Sequence, residues 1–173
     1  MPQLVITAVG PDRPGLVEDL SGFLTALGVN IADARMINLR GRFAVILSAE
    51  ADEAALKRIR EGMAGLTQQT NLEINITAEG AAGKTFIGVP FRLKTYSMDQ
   101  PGIVHRITHV LHRHGVNIEE LQTRLEAGPH TGTPLFTMDI RLTVPRGVSV
   151  KALRSELETL CDSLNCDVDL EPD

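Results

Sequence analysis

The sequence predicts an α+β protein: two copies of one βαββαβ unit, each an antiparallel sheet with both helices on one face. Three observations predict it. Asp12-Arg13-Pro14-Gly15-Leu16-Val17 recurs as Asp99-Gln100-Pro101-Gly102-Ile103-Val104, 87 residues further on. Gly28-Val29-Asn30-Ile31 returns at the same offset as Gly115-Val116-Asn117-Ile118. Between and after these motifs, apolar residues switch between the two-residue period of strands and the 3.6-residue period of helices, in the same order in both halves.

Each element has its own signal. Leu4-Val5-Ile6-Thr7-Ala8-Val9 is a short apolar run, read as a buried strand. A helix follows, with Pro14 in its first turn and Asp12 as a candidate cap. Val17, Leu20, Leu24 and Leu27 are spaced to face inward, as are Val104, Ile107, Leu111 and His114 in the second copy. Gly28 and Gly115 are placed to stop these helices. Two strands come next, joined in the first copy by a tight Arg40-Gly41-Arg42 connection. In the second copy Phe136, Met138, Ile140, Leu142 and Val144 alternate with polar residues, the pattern of a half-buried strand. Asp52 and Ser149 cap the second helices, which turn Leu56, Ile59, Met63 and Leu66, or Leu153, Leu157, Leu160 and Leu164, inward. A last strand closes each unit near Leu72–Ile76 and Asp167–Leu170. Right-handed crossovers then give a ferredoxin-like fold twice.

The expected domains are residues 1–79 and 86–173, joined by a small-residue linker over 80–85. Units of this size leave open sheet edges, so pairing within the chain or between chains, and a homo-oligomer, are expected.

Composition narrows the function. The net charge is −5; residues 1–84 carry 8 basic and 10 acidic side chains, and residues 85–173 carry 9 and 12. Neither half has the basic excess that phosphate neutralisation demands, which argues against direct nucleic-acid binding. No apolar run reaches the ~20 residues of a membrane span, and the Met1-Pro2-Gln3-Leu4 start has no signal-peptide character. With only Cys161 and Cys166, both read as packing residues, the expected compartment is the cytoplasm with thiols reduced.

The strand-to-helix corner is the candidate site. The Pro14-Gly15 turn places free backbone N–H groups at the positive end of a helix, where a carboxylate binds favourably. Gly15 lets a ligand approach the main chain, Asp12 offers an ammonium partner, and the Asn30 amide both donates and accepts. Asp99, Gly102 and Asn117 repeat the set. One pocket per unit holding a small zwitterion is the functional reading; taken alone, the residues favour ordinary helix-start and turn chemistry, and the repeat does not decide between the two.

These motifs resemble the ACT domain, whose pattern is a strand, Asp/Asn-x-Pro-Gly-hydrophobic, a helix, and Gly-x-Asn-Ile opening the second strand. The resemblance covers nearly the whole chain, twice. It implies that the corner and the second-strand Asn meet a neighbouring domain around an amino acid. By resemblance the ligand-binding residues are Asp12, Arg13, Pro14, Gly15, Leu16, Asn30 and Ile31, with Asp99, Gln100, Pro101, Gly102, Ile103, Asn117 and Ile118. Two such domains with no enzyme attached are similar to the glycine cleavage system transcriptional repressor family. That likeness implies a non-enzymatic regulator that senses glycine or a similar amino acid and contacts a DNA-binding transcription factor. The alternative is a regulatory subunit of a metabolic enzyme. Formyltetrahydrofolate deformylase has a similar Asp-Arg-Pro-Gly opening, but its catalytic domain has no counterpart in this sequence.

All five histidines lie in the second half, and His105, His109 and His112 share one helical face. The expected reading is a solvated or helix-packing face, with no metal, and His114 as a partly buried core residue. No Gly-x-Ser-x-Gly, Walker, His-Glu-x-x-His or Cys-x-x-Cys motif occurs, so neither catalysis nor a cofactor is expected. The Ala127–Pro134 segment, longer than its counterpart at Gly41, is a candidate partner contact or lid, or equally a passive insertion.

Overall fold

The computed structural model describes residues 3–79, 86–127 and 134–173. The expected linker over 80–85 and the interior of the Ala127–Pro134 loop lie outside the described residues. The chain divides into two compact units, Met1–Lys84 and Thr85–Asp173.

The first unit runs β1 (Gln3–Pro11), α1 (Leu16–Ala26), β2 (Asn30–Leu39), β3 (Arg42–Glu50), α2 (Glu53–Thr70) and β4 (Glu73–Glu79). The second repeats the order as β5 (Gly88–Met98), α3 (Ile103–Arg113), β6 (Asn117–Ala127), β7 (Pro134–Pro145), α4 (Val150–Ser163) and β8 (Cys166–Pro172). The sheets are ordered β2-β3-β1-β4 and β6-β7-β5-β8, and every strand pair is antiparallel. The predicted fold class is therefore the observed one.

Alternation along the central strands decides which face is covered. Leu4, Ile6 and Ala8 of β1 and Phe43, Val45 and Leu47 of β3 are buried under the helices with Leu24 and Ile59. In the second unit Phe91 and Leu93 of β5 join Met138, Ile140, Leu142 and Val144 of β7 beneath Ile107, Leu111, Leu153 and Leu157. Each large side chain withdrawn from water in this way contributes about 1.5–3 kcal/mol. Cys161 and Cys166 belong to the same core, and burial pushes the Cys161 thiol up to about 12.

The helix starts differ from the expectation. Neither Asp12 nor Pro14 opens α1. Gly15 occupies the N-cap position at φ 90°, no side chain caps the helix, and Pro14 stands one residue before it. Gly102 does the same for α3 at φ 92°. A left-handed backbone at that point rotates the following helix back over the sheet, and a Cβ disfavours it. The rotation also corrects one inward position: Leu16 is buried, whereas Val17 is 55% exposed. The second helices start as expected. The Asp52 carboxylate accepts from the Ala55 N–H at 2.6 Å and the Ser149 hydroxyl from the Ala152 N–H at 3.2 Å.

The stops are also as expected. Gly28 lies just past α1 at φ 73°, with Gly28 N–H donating to the Thr25 carbonyl at 2.9 Å and Val29 N–H to that of Leu24 at 3.0 Å. Gly115 and Val116 make the same two bonds to His112 and Leu111. Both are Schellman closures.

A paired substitution in α1 tests this account. Gly15→Ala should destabilise the fold by about 1–2 kcal/mol, because the left-handed conformation is unfavourable for a residue with a Cβ. Gly22→Ala lies within the helix, where an added Cβ meets nothing within 4 Å. It should stabilise the fold by about 0.5–1 kcal/mol. Urea denaturation followed by circular dichroism reads both.

Candidate functional site

The corner residues are held by the fold's own groups. The Asp12 N–H donates to the Gly41 carbonyl at 2.9 Å, tying the end of β1 to the β2–β3 turn. The Asn38 side-chain amide donates to the Asp12 carboxylate, and the Asn38 carbonyl accepts from the Gly41 N–H at 3.3 Å. Arg40 and Gly41 form that turn at φ 51° and 75°, the left-handed pair of a type I′ hairpin. Asp12 thus fixes the hairpin to the corner.

Arg13 reaches the other way. Its guanidinium bonds the Asp19 carboxylate at 2.7 Å and the carbonyls of Pro14 at 3.0 Å and Gln69 at 3.1 Å. Gln69 lies in the last turn of α2, where carbonyls lack helical partners. Gln100, the counterpart of Arg13, donates to the Leu164 carbonyl at the end of α4 at 2.5 Å. The variable residue of the repeated motif therefore clamps the end of the second helix to the corner in both units. Two chemically different side chains do it, since each supplies a long-armed N–H donor.

Leu16 and Ile103 turn their side chains into the core at 1% and 2% exposure. That corrects any ligand contact through their side chains and leaves their main chain at the corner. Ile31 and Ile118 pack at the core margins. Pro14, Gly15, Pro101 and Gly102 are exposed.

The single-unit pocket is corrected by the strand register. Asn30 pairs with Glu50, at the far end of β3 from Arg42, which pairs with Pro11. The eight-residue separation along β3 amounts to about 26 Å at the usual rise of about 3.3 Å per residue. In the second unit Asn117 pairs with Thr143 while Met98 pairs with Leu135, the same separation. Helix α1 carries the chain back along the sheet before β2 begins, so corner and Asn stand at opposite ends of their own unit. Sequence spacing of 18 residues gave no sign of this.

The structure joins two features that the sequence left separate. Asn117 and Ile118 line a groove of 470 Å³ with His105, Thr108, His109 and His112 of α3. The Asn117 amide donates to Glu119 at 2.6 Å, and the Thr143 hydroxyl donates to the same carboxylate oxygen at 3.1 Å. The three histidines are exposed, with the His105 and His109 rings 6.2 Å apart. Among the described residues no group of three or more His, Cys, Asp or Glu is placed to hold a metal ion. A larger groove of 710 Å³ runs between α3 and α4, where Arg106, Arg113 and Glu156 meet His105 and His109.

His114, half-buried, bonds Glu156 at 2.8 Å, and Arg113 bonds the other oxygen of that carboxylate at 2.5 Å. These two partners, the His114 bond foremost, hold the Glu156 carboxyl below its usual range. The Arg92 guanidinium does the same for Asp139 through bonds of 2.8 and 2.6 Å. Among the described residues no helix is long and apolar enough to cross a membrane.

The sequence profile of the ACT domain family matches residues 2–77. The first unit is thus similar to the ACT domain, and the second repeats its fold. The tandem chain is 25% identical over 162 residues to the glycine cleavage system transcriptional repressor of Escherichia coli, a match that covers 94% of this chain and 85% of that one. A solved structure of a protein of unknown function from Galdieria sulphuraria superposes with a TM-score of 0.83 at 26% identity, covering 99% and 98% of the two chains. A second solved structure, assigned as a glycine cleavage system transcriptional repressor, superposes with a TM-score of 0.72 at 22% identity over 98% and 96%. The same two-unit fold therefore runs along nearly the whole of both solved chains.

A group whose folded pKa is depressed stabilises the fold above its unfolded pKa and loses that contribution as pH falls through the folded value. Glu156 is such a group, so the wild-type chain should lose thermal stability as pH drops below about 4.5, the ordinary glutamate range. Glu156→Gln should flatten that loss. Melting curves collected from about pH 6 down to about pH 3 check it.

Proposed function

We propose that the chain is a non-enzymatic regulator that binds a small amino acid, glycine or one close to it, and acts on a DNA-binding transcription factor. The observation that carries this reading is the likeness to the Escherichia coli repressor along 94% of the chain, both tandem domains included. The net charge of −5 supports action through a protein partner and not through DNA itself.

The register supports a shared pocket. Corner and Asn lie at opposite ends of one unit, so a ligand touching both needs two units. β2 is an edge strand. Antiparallel pairing of β2 with β2 of a second copy reverses one sheet against the other. Asn30 of one copy then arrives at the end of the other's sheet from which the Pro14-Gly15 corner rises. Corner N–H groups take the ligand carboxylate, and the Asn amide takes the ammonium group through its carbonyl oxygen. β6 and Asn117 offer the same construction in the second unit.

Thermal unfolding in the presence of each of the twenty amino acids tests the reading. A ligand at about 100 times its Kd should stabilise the native state by about 2.7 kcal/mol. A response to none of the twenty would refute sensing. Asn30→Ala and Asn117→Ala, made separately, should each weaken binding at one site at least tenfold in calorimetry. Unchanged affinity in both would move the site elsewhere. Capture of a metabolic enzyme from the native cell in place of a transcription factor would replace the partner named above.

A further inference from the structure

The two units repeat the second-strand Asn but not its surroundings. β6 is bulged between Ile118 and Glu120, which leaves Glu119 without a partner on β7. β2 is bulged at the same place, between Ile31 and Asp33, and leaves Ala32 unpaired. A bulged residue escapes the alternation of its strand, so its side chain is re-aimed. In the second unit it is aimed at Asn117. The Asn117 amide N–H donates to Glu119 Oε1 at 2.6 Å. Thr143, opposite Asn117 on β7, donates its hydroxyl to the same oxygen at 3.1 Å. Oε2 takes neither bond. The first unit has no such arrangement. Ala32 offers no side-chain acceptor, and the residue opposite Asn30 is Glu50, which has no hydroxyl to donate. Among the described residues no hydrogen bond joins Glu50 to the Asn30 amide. The bulge is common to both units while the network belongs to one, so the network is not a requirement of the fold.

We infer that Glu119 is a specificity-determining residue of the second-unit site and makes that site the tighter of the two for an ammonium-bearing ligand. This rests on the amino-acid-binding reading proposed above. Glu119 acts in two ways. Holding the Asn117 N–H fixes the amide in one orientation, with its carbonyl oxygen turned away from Glu119 and offered to the ammonium group. The ligand then meets an acceptor already ordered, which lowers the entropy lost on binding. The free Oε2 also brings a negative charge beside that acceptor. A hydrogen bond with an ionised partner is roughly twice as strong as a neutral one. Thr143 holds the carboxylate in place from the neighbouring strand. At Asn30 the amide has no bulge residue to orient it, so the first-unit site fills at higher ligand concentration. One chain thereby responds over two concentration ranges of the same amino acid.

The experiment is calorimetric titration of the full chain with glycine. Asn30→Ala leaves the second-unit site to be measured, and Asn117→Ala leaves the first. The Asn30→Ala chain should bind glycine about tenfold more tightly than the Asn117→Ala chain. Within Asn30→Ala, Glu119→Gln keeps an acceptor for the Asn117 N–H but removes the charge, and Glu119→Ala removes both. Affinity should fall with Glu119→Gln and further with Glu119→Ala, about tenfold in all. Ala32→Glu combined with Glu50→Thr, made in the Asn117→Ala chain, transplants the network and should tighten the first-unit site, a gain that a merely structural role would not give. Circular dichroism checks that each variant is folded. Equal affinities at the two sites, or a Glu119→Ala chain that binds glycine as tightly as its parent or more so, would overturn this inference and leave the amino-acid reading standing. No glycine binding at either site would overturn the glycine reading and this inference with it.

Discussion

Each unit is organised by the return of its first helix along the sheet. A glycine held in the left-handed region turns the chain back over β1 or β5, and eleven helical residues carry it about 16 Å toward the sheet's other end. A Schellman closure then releases it into an edge strand. Everything chemically interesting is distributed by this reversal. The corner with its main-chain donors is left at one end, and the second-strand Asn begins at the other. A unit so built does not bring its corner and its second-strand Asn together by itself.

The residues around the corner show how a short motif divides its labour. Asp12 secures the β2–β3 hairpin through the Asn38 amide. Arg13 and Gln100 satisfy last-turn carbonyls of the second helices. Leu16 and Ile103 anchor the first helices in the core. What the motif leaves exposed at the helix start is chiefly backbone, at the glycine.

The fold was readable because its signals are local and periodic: apolar alternation for strands, paired glycines for helix stops, Asp52 and Ser149 for helix starts. The repeat at a constant offset supplied the domain plan. What could not be read was relational. Asn30 lies 18 residues from Asp12 in sequence, a distance consistent with contact or with full separation, and only strand register decides. The capping of α1 was misread for a related reason: Asp12 is a good cap by residue type, yet the Asn38 amide claims its carboxylate, leaving Gly15 to open the helix. The coincidence of the histidine face with Asn117 likewise needed the packing of α3 beside the start of β6.

The only two cysteines of the chain, Cys161 and Cys166, are sealed in one core, and burial raises the Cys161 thiol to about 12. Thiolate, not thiol, is the species that reacts with alkylating reagents, so at neutral pH that side chain is chemically silent in the folded state. A cysteine introduced at an exposed position therefore becomes the preferred attachment point on the native molecule. Spin labels or fluorophores can be placed there without first removing the natural thiols, whose loss would open cavities beneath α4.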